Sequence, residues 1–327
     1  MVIAVDAVGG DHYPEHPVKG GLQALEEMPD LHLMFVGPHD IIENELSKHE
    51  YDSDRVEIYH APEIISMEDS ASAVLKEKRD SSIFTGLMAH KAGKCDGFVS
   101  AGHTGALLTA STVILGKIEG VYRPTIAALF PTVNGVRILV DAGANLILKE
   151  EMYYQFAVMG TIFTEQILNV ENPRTGLLNV GEESEKGTEL LKAAYAKLRV
   201  LKNFVGNIEG KDILNGKADV ILTDGFTGNV LLKFGESIPE VLQKMVKEVL
   251  TEMSADEKMQ KQVFEILTRA MHTFDYEQIG GVPFLGVNGV SFVGHGSSSV
   301  LAMKNMIKSA VQCVDHEVNN KIKASLN

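Results

Sequence analysis

The sequence predicts a doubly wound α/β fold, a mostly parallel sheet with helices on both faces. Three observations carry that prediction. Short, nearly continuous apolar runs recur along the 327 residues, as strands covered on both faces require. Helix-length segments separate them, long enough for the crossovers that parallel strands need. Most of the runs end in a small polar residue close to a glycine, the chemistry of a turn leaving a sheet.

Taken in order, Val2–Val5 is the first strand candidate, and Asp6, Gly9 and Gly10 follow it. His16–Met28 reads as a crossover helix leading to strands at Leu31–Val36 and Val56–Tyr59. Gly97–Val99 ends in Ser100 and Gly102, and a helix follows over Gly105–Leu115. Ile126–Phe130 and Arg137–Val140 are the next strands, the second ending at Asp141 and Gly143. Lys149–Leu168 is a long helix, Gly176–Leu178 a strand ending in Asn179 and Gly181, and Glu185–Leu201 another helix. Phe204–Val205 runs toward Asn207 and Gly210, and Val220–Leu222 toward Asp224 and Gly225. Near the C-terminus, Val290–Val293 passes through Gly294–Ser299 into a long helix from Val300, with Ser297 and Ser298 as natural N-caps.

In an open parallel sheet, ligands bind outside the carboxyl ends of the strands. Small polar groups and glycines placed there six times over predict a wide, polar, backbone-lined pocket; taken singly, each is also what a tight turn or helix cap requires. The sharpest instance is Asp224-Gly-Phe-Thr-Gly-Asn229, an acidic, glycine-rich turn between Ala218–Thr223 and Val230–Lys233. Free N–H groups at such a strand-to-helix junction, aided by the helix dipole, would bind an anion.

Beyond that turn, Ile238, Val241, Leu242, Met245, Val246, Val249, Leu250 and Met253 mark an amphipathic helix of about 16 residues, on the order of 24 Å long. Ser254-Ala-Asp-Glu257 has the form of a capping box, and Met259, Val263, Phe264, Ile266, Leu267, Ala270 and Met271 form a second stripe. The chain is therefore expected to be a single α/β domain over 1–327 with a protruding helical hairpin inserted at 236–278. The hairpin's apolar stripe calls for burial against the body, a second subunit or a membrane surface. Acidic residues outnumber basic ones there, so a polybasic lipid binder is excluded.

Composition removes several function classes. The net charge of −14 speaks against sequence-independent binding to nucleic acid. Two cysteines, Cys95 and Cys313, make no disulfide framework and fit a reducing cytoplasm. Cys95 falls in a helix-to-strand turn and Cys313 in the last predicted helix, so both read as structural. Met1 leads directly into Val2–Val5 and Asp6, so no signal peptide is expected. No apolar window approaches the length of a membrane span. Gly181–Thr188 has Lys186 and Gly187 in the reverse of the order an ATP-binding P-loop needs. No G-x-G-x-x-G, G-x-S-x-G or HExxH motif occurs, so a dinucleotide site, a serine nucleophile and a zinc site lack their signatures, and neither metal nor cofactor is expected. His12, His32, His60 and His90 read as ordinary core or surface residues.

Several blocks together resemble a known family. They are Asp6-Ala-Val-Gly-Gly-Asp11, Ser100-Ala-Gly-His-Thr-Gly-Ala-Leu107, Asp141-Ala-Gly-Ala-Asn145 and Leu178-Asn-Val-Gly-Glu-Glu183 with Lys186-Gly187. Phe204-Val-Gly-Asn-Ile-Glu-Gly210, the Asp224–Asn229 turn, Gly286-Val-Asn-Gly289 and His295-Gly-Ser-Ser298 continue the match. In order and spacing, over essentially the whole chain, they resemble the bacterial phosphate acyltransferases of phospholipid synthesis, the PlsX family. The resemblance implies transfer of a fatty acyl group from an acylated acyl carrier protein to inorganic phosphate. It also implies a homodimer, a fold related to phosphotransacetylases and isocitrate-type dehydrogenases, loose contact with the inner membrane face, and a downstream glycerol-phosphate acyltransferase. The chain departs from the family pattern at Val8, where Met is usual, at Val140-Asp141-Ala142, and at His103, where Asn is usual.

That chemistry suits the strand-end loops. Phosphate is already an anionic nucleophile, so the enzyme must hold it beside a thioester carbonyl and stabilise the oxyanion, with no covalent enzyme nucleophile. Lys186 is expected to meet phosphate or oxyanion charge, Asn229 to orient phosphate or the carbonyl oxygen, and His295 to protonate the departing thiolate. Asp6, Gly9, Gly10, Asp11, Ser100, Gly102, His103, Thr104 and Gly105 are candidate substrate-binding positions in the early loops. Asp141, Asn145, Asn207, Asp224, Gly225, Thr227, Gly228, Asn288, Ser297 and Ser298 are the later ones. The four aspartates are read as loop-shaping groups, because their charge would oppose an anionic transition state. An acidic carrier protein needs a local basic patch, and Lys192, Lys197, Arg199 and Lys202 offer one that also reads as an ordinary solvated helix face. A short-chain acyl-CoA transferase and a membrane scaffold for later lipid enzymes are the alternatives, separated from the first reading by donor preference and by catalysis.

Overall fold

The computed structural model describes residues 1–271, 277 and 279–326. In chain order the first elements are β1 (Val2–Asp6), α1 (Glu15–Glu27), β2 (His32–Gly37), α2 (His39–Leu46), β3 (Val56–His60), α3 (Ala73–Lys76), α4 (Ser82–Lys91), β4 (Gly97–Ser100) and α5 (Thr104–Ile114). Then come β5 (Thr125–Thr132), β6 (Gly135–Val140), α6 (Glu150–Gln166), β7 (Thr175–Leu178), α7 (Glu189–Leu198), β8 (Phe204–Ile208), α8 (Gly210–Leu214) and β9 (Val220–Leu222). The last are α9 (Gly225–Glu252), α10 (Glu257–Ala270), β10 (Val282–Leu285), β11 (Val290–Val293), α11 (Val300–Asp315) and α12 (Val318–Leu326). Most predicted elements fall within a few residues of these. Pro283 hid β10, because proline is rare inside strands, and the polar run at Asn319–Lys321 hid α12.

The chain divides into two compact units. The first comprises Met1–Ala127, Val158–Asn169 and Tyr276–Asn327, and the second Ala128–Ala157 and Val170–Asp275.

In the first unit the strands lie in the order β3, β2, β1, β4, β11, β10, and then the first residues of β5. The first five are parallel, and β10 is antiparallel to both its neighbours. Phe35, Phe98 and Phe292 are fully buried in this core. The Gly20-Gly21 pair lets α1 approach closely, since a side chain at Gly20 would begin 2.5 Å from Met303 Cβ and one at Gly21 2.7 Å from the Phe35 ring. The parallel strands carry continuous apolar runs because helices cover both faces.

In the second unit β6, β9, β7 and β8 follow one another in parallel. Ile138 pairs with Val220 and Thr175 also meets Val220, which brings the carboxyl ends of β6, β9 and β7 level. Phe130, Leu139, Ile208, Ile213 and Ile221 form the core. Asp219, just before β9, binds Arg137 at 2.6 Å and Arg174 at 2.9 Å. Those hydrogen bonds and charges hold its carboxyl below the usual range although burial pushes the other way.

The hairpin differs from expectation in two respects. Its first helix begins at Gly225, so the Asp224 turn and the amphipathic stripe belong to one helix of 28 residues that continues through Pro239. The second helix is capped by Asp256, whose carboxylate accepts the Met259 N–H, whereas Ser254 adopts a φ of 51° and caps nothing. Residues 272–276 and 278 of the predicted 236–278 insertion lie outside the described residues. Val230, Phe234, Val241, Met245, Val249 and Met253 stand exposed along α9, and α10 buries no residue. Among the described residues no helix is long and apolar enough to cross a membrane.

Candidate active site

The expected site residues fall into two groups, one in each unit. In the first unit, β1, β4 and β11 are parallel neighbours, so the loops leaving their carboxyl ends lie side by side. Asp6, the last residue of β1, is buried and accepts Ser100 Oγ at 2.6 Å and the Val8 N–H at 3.2 Å. Burial pushes the Asp6 carboxyl up, against the pull of hydrogen bonds from Ser100, Ser82 and Val8. Ser100 Oγ in turn accepts the Gly102 N–H at 2.9 Å. A side chain at Gly9 would start 2.6 Å from Asp6 Oδ2, so only glycine fits there. Gly10 has a φ of 93° and sits against the Gly296 carbonyl, which also accepts the Asp11 N–H at 2.7 Å. Asp6 ties β1 to the end of β4 through its carboxylate, whereas Asp11 engages Gly296 through its backbone N–H.

His103 is the N-cap of α5, its Nδ1 accepting the Ala106 N–H. Thr104 and Gly105 follow in the first turn, where their N–H groups meet no acceptor among the described residues. On the β11 side, Ser297 donates its N–H to His295 Nδ1 at 3.2 Å, and Ser297 Oγ lies 2.8 Å from the same nitrogen. A ring nitrogen that accepts from a backbone N–H carries no proton, so His295 is the Nε2–H tautomer. Ser298 donates its hydroxyl to the His295 carbonyl at 2.6 Å, and its own carbonyl accepts from His16 Nδ1 at 2.9 Å. The cap of α11 is Ser299, accepting the Ala302 N–H, which corrects the expectation of Ser297 or Ser298. Asn288 lies before β11, at the end of that strand remote from these loops, with its N–H on Gly116.

In the second unit, fully buried Asp141 accepts the Ala144 N–H at 2.9 Å and both the N–H and side-chain amide of Asn145 at 2.8 Å. Its carbonyl accepts Thr223 Oγ1 at 2.7 Å. Asp224 caps α9, taking the Phe226 and Thr227 N–H groups and the Thr227 hydroxyl. Gly225 donates to the Asn145 carbonyl and Gly228 to the Asp224 carbonyl. Every first-turn N–H is therefore occupied, so the reading of this junction as a free anion site is corrected. Asp224 and Asn145 consume the donors that a phosphate would need. Gly225 and Gly228 let the helix lie flush on the 141–145 loop, where an added side chain would start 2.7 Å from Asn145 O and 1.8 Å from Asp141 O. Asn229 is exposed in that turn beside Gly143.

Lys186 stands in the loop between β7 and α7, ahead of the Thr188 cap. Asn179 Nδ2 holds the Lys186 carbonyl at 3.1 Å, and Asn207 Nδ2 holds the Glu183 carbonyl at 2.8 Å. Asn207 is thus a buried strut of the loop, its Oδ1 having no partner among the described residues. The Lys186 side chain runs over Gly181 and enters no ion pair among the described residues, unlike Lys217, which reaches Glu182 and Asp212. In the proposed basic patch, Lys192 and Lys197 are paired with Glu189 and Glu151. Sequence reasoning missed the supporting contribution of Ser82 and reads Asn179 only as a strand-end group outside the candidate site. Ser82 opens a helix far along the chain from Asp6, so no local pattern marks it. Asn179 stood at a strand end and was the more visible of the two.

A family model described as "Fatty acid synthesis protein" matches residues 1–321. The phosphate acyltransferase of Halothermothrix orenii is 42% identical over 330 residues, covering 100% of this chain and 99% of that one. That of Chlorobaculum parvum is 43% identical over 338 residues, with the same coverage of each. Among solved structures, a phosphotransacetylase from Streptococcus pyogenes matches with a TM-score of 0.63 at 17% identity, over 96% of this chain and 94% of that one. A branched-chain phosphotransacylase from Enterococcus faecalis matches with a TM-score of 0.57 at 14% identity, over 96% and 99%. These structural likenesses bear out the fold.

Proposed function

We propose that this chain, which belongs to the phosphate acyltransferase family, takes its acyl group from an acylated acyl carrier protein and passes it to inorganic phosphate. The product, acyl phosphate, feeds phospholipid synthesis. The observation that carries the reading is end-to-end identity of 42% and 43% with two phosphate acyltransferases. The polar strand-end loops support it.

A phosphate oxygen attacks the thioester carbonyl carbon, the C–O bond forms, and the C–S bond breaks as the tetrahedral intermediate collapses. The departing thiolate takes a proton. In the first unit, the Thr104 and Gly105 N–H groups are the donors proposed for phosphate, and neutral His295 donates a hydrogen bond from Nε2 to the departing sulfur, whose proton comes from the attacking phosphate. In the second unit, taken by itself, the Lys186 ammonium, which enters no ion pair among the described residues, and the exposed Asn229 amide are the groups proposed to meet an anionic oxygen. A covalent cysteine has no support: burial pushes Cys95 up to about 12 and pushes buried Cys313 up as well.

The exposed apolar residues of α9 favour a homodimer that buries this face, in the cytoplasm and in peripheral contact with the inner membrane face. Sedimentation with and without vesicles tests that part. The activity is tested by following palmitoyl-carrier protein and phosphate by mass spectrometry, with palmitoyl-CoA and acetyl-CoA in parallel. Acyl phosphate formed chiefly from the carrier substrate is expected. Product from acetyl-CoA alone would replace the reading with short-chain transfer, and no product from any donor would leave a scaffold.

A further inference from the structure

His103 uses both of its ring nitrogens. Nδ1 accepts the Ala106 N–H at 3.2 Å, capping α5, and Nε2 lies 3.0 Å from the Asp69 carbonyl oxygen. Because Nδ1 accepts, Nε2 carries the proton and donates to Asp69. One side chain thus caps the helix and ties down a segment 34 positions earlier in the chain.

That segment is internally braced. The Asp69 carboxylate accepts the Ser66 N–H at 2.6 Å, the Ser66 hydroxyl at 3.0 Å and the Lys78 ammonium at 2.7 Å. Lys78 also donates to the Ile64 carbonyl at 2.9 Å, closing the loop on itself. The Lys78 ammonium and the Ser66 N–H hold the Asp69 carboxyl down to about 2, so the brace is ionised at working pH. Ala71 Cβ comes within 3.3 Å of the point where a Gly105 side chain would begin, so the segment packs on the first turn of α5. Ile65 is buried beneath it, and Met67 stands exposed at its outer side.

We propose that His103 is a positioning residue that clasps the 64–71 segment to the open first turn of α5 and so keeps the phosphate nucleophile in place, without touching phosphate itself. The proposal rests on the phosphate acyltransferase reading and extends it. The clasp explains why both ring nitrogens face protein atoms, a poor arrangement for a side chain that must bind substrate.

His103→Asn separates the two contacts. Its amide oxygen still caps α5, but its nitrogen falls about one bond short of the reach of Nε2. The expected result is a rise of about five- to tenfold in KM for phosphate, with kcat within about twofold of wild type. Asp69→Ala removes the brace while keeping the carbonyl, and should give the same shift. The double variant should be no worse than either single one, because both act through one clasp. Trypsin provides a readout independent of activity. Cleavage at Lys76, Lys78 and Arg79 should quicken in His103→Asn, and inorganic phosphate should protect wild type but not the variant. Unchanged phosphate KM, additive effects in the double variant, or a loss confined to kcat would overturn the proposal. If wild type makes no acyl phosphate, the functional reading fails, while the trypsin comparison still decides the clasp.

Discussion

A single methyl group added at Gly228 is expected to shift the first turn of α9 off the loop that follows β6. The new Cβ would begin 1.8 Å from the Asp141 carbonyl oxygen and 2.5 Å from Thr223 Oγ1, where ordinary contact starts at 3.4 Å. Neither neighbour gives way easily, because those two oxygens are hydrogen-bonded to each other at 2.7 Å. Alanine in place of glycine within a helix normally gains about 1 kcal/mol. Forcing an extra carbon into packed surroundings costs about 1–3 kcal/mol, so Gly228→Ala should lose up to about 2 kcal/mol net. Function should suffer more than stability. Asn229 is the next residue, and a displacement of about 1 Å at a reacting centre costs on the order of 100-fold in rate. Urea unfolding followed by circular dichroism gives the first quantity, and the initial rate of acyl phosphate formation the second. Gly210→Ala is the control, because nothing lies within 4 Å of its added carbon; it should be neutral or stabilising by at most about 1 kcal/mol. A Gly228→Ala protein as stable as wild type and within about twofold in rate would refute the flush packing and the placement of Asn229 that follows from it.

Lys186→Ala should lower kcat at least about tenfold with an unchanged melting temperature; a rate within about threefold would remove Lys186 from the chemistry. Replacing both buried cysteines with alanine should cost about 1–2 kcal/mol of stability and leave turnover intact, measured by urea unfolding and by rate. Burial pushes His90 down, and its Nδ1 donates to the Cys95 carbonyl while Nε2 has no partner among the described residues. The unfolded chain therefore takes up that proton first. Stability should fall as pH drops below about 6.5, until the pH passes below the depressed folded value. Urea midpoints across this range should show the slope, and His90→Gln should flatten it. Asp224→Ala removes the acceptor for two N–H groups of α9 and should cost about 1–2 kcal/mol in the same unfolding assay.

Much of this molecule is readable from residue order alone, because its strands are covered on both faces and announce themselves as apolar runs. Their polar, glycine-marked ends located the loops for the same reason. A chain leaving a sheet needs turn residues, and the resemblance attached a chemistry to them. Asp6 and Ser100 could each be named as strand-end groups, but their 2.6 Å contact spans 94 residues of sequence and exists only because β1 and β4 are neighbours. The Asp224 turn shows the limit most clearly. Its composition announces an N-terminal helix junction. Asp224 itself takes three of the junction's four N–H groups, and whether the Gly225 N–H stays open to an anion depends on where the Asn145 carbonyl lies, which the folding of β6 against β9 decides. His103 divides in the same way, being visible in sequence as an odd residue in a familiar block and becoming a clasp only through Asp69. Sequence by itself determined which residues are turn-formers, strand-formers and candidate ligands, since these are properties of side chains and their spacing. Tertiary structure alone decided which polar groups are already satisfied by protein and which stay available to substrate, because hydrogen-bond acceptors are supplied from distant parts of the chain.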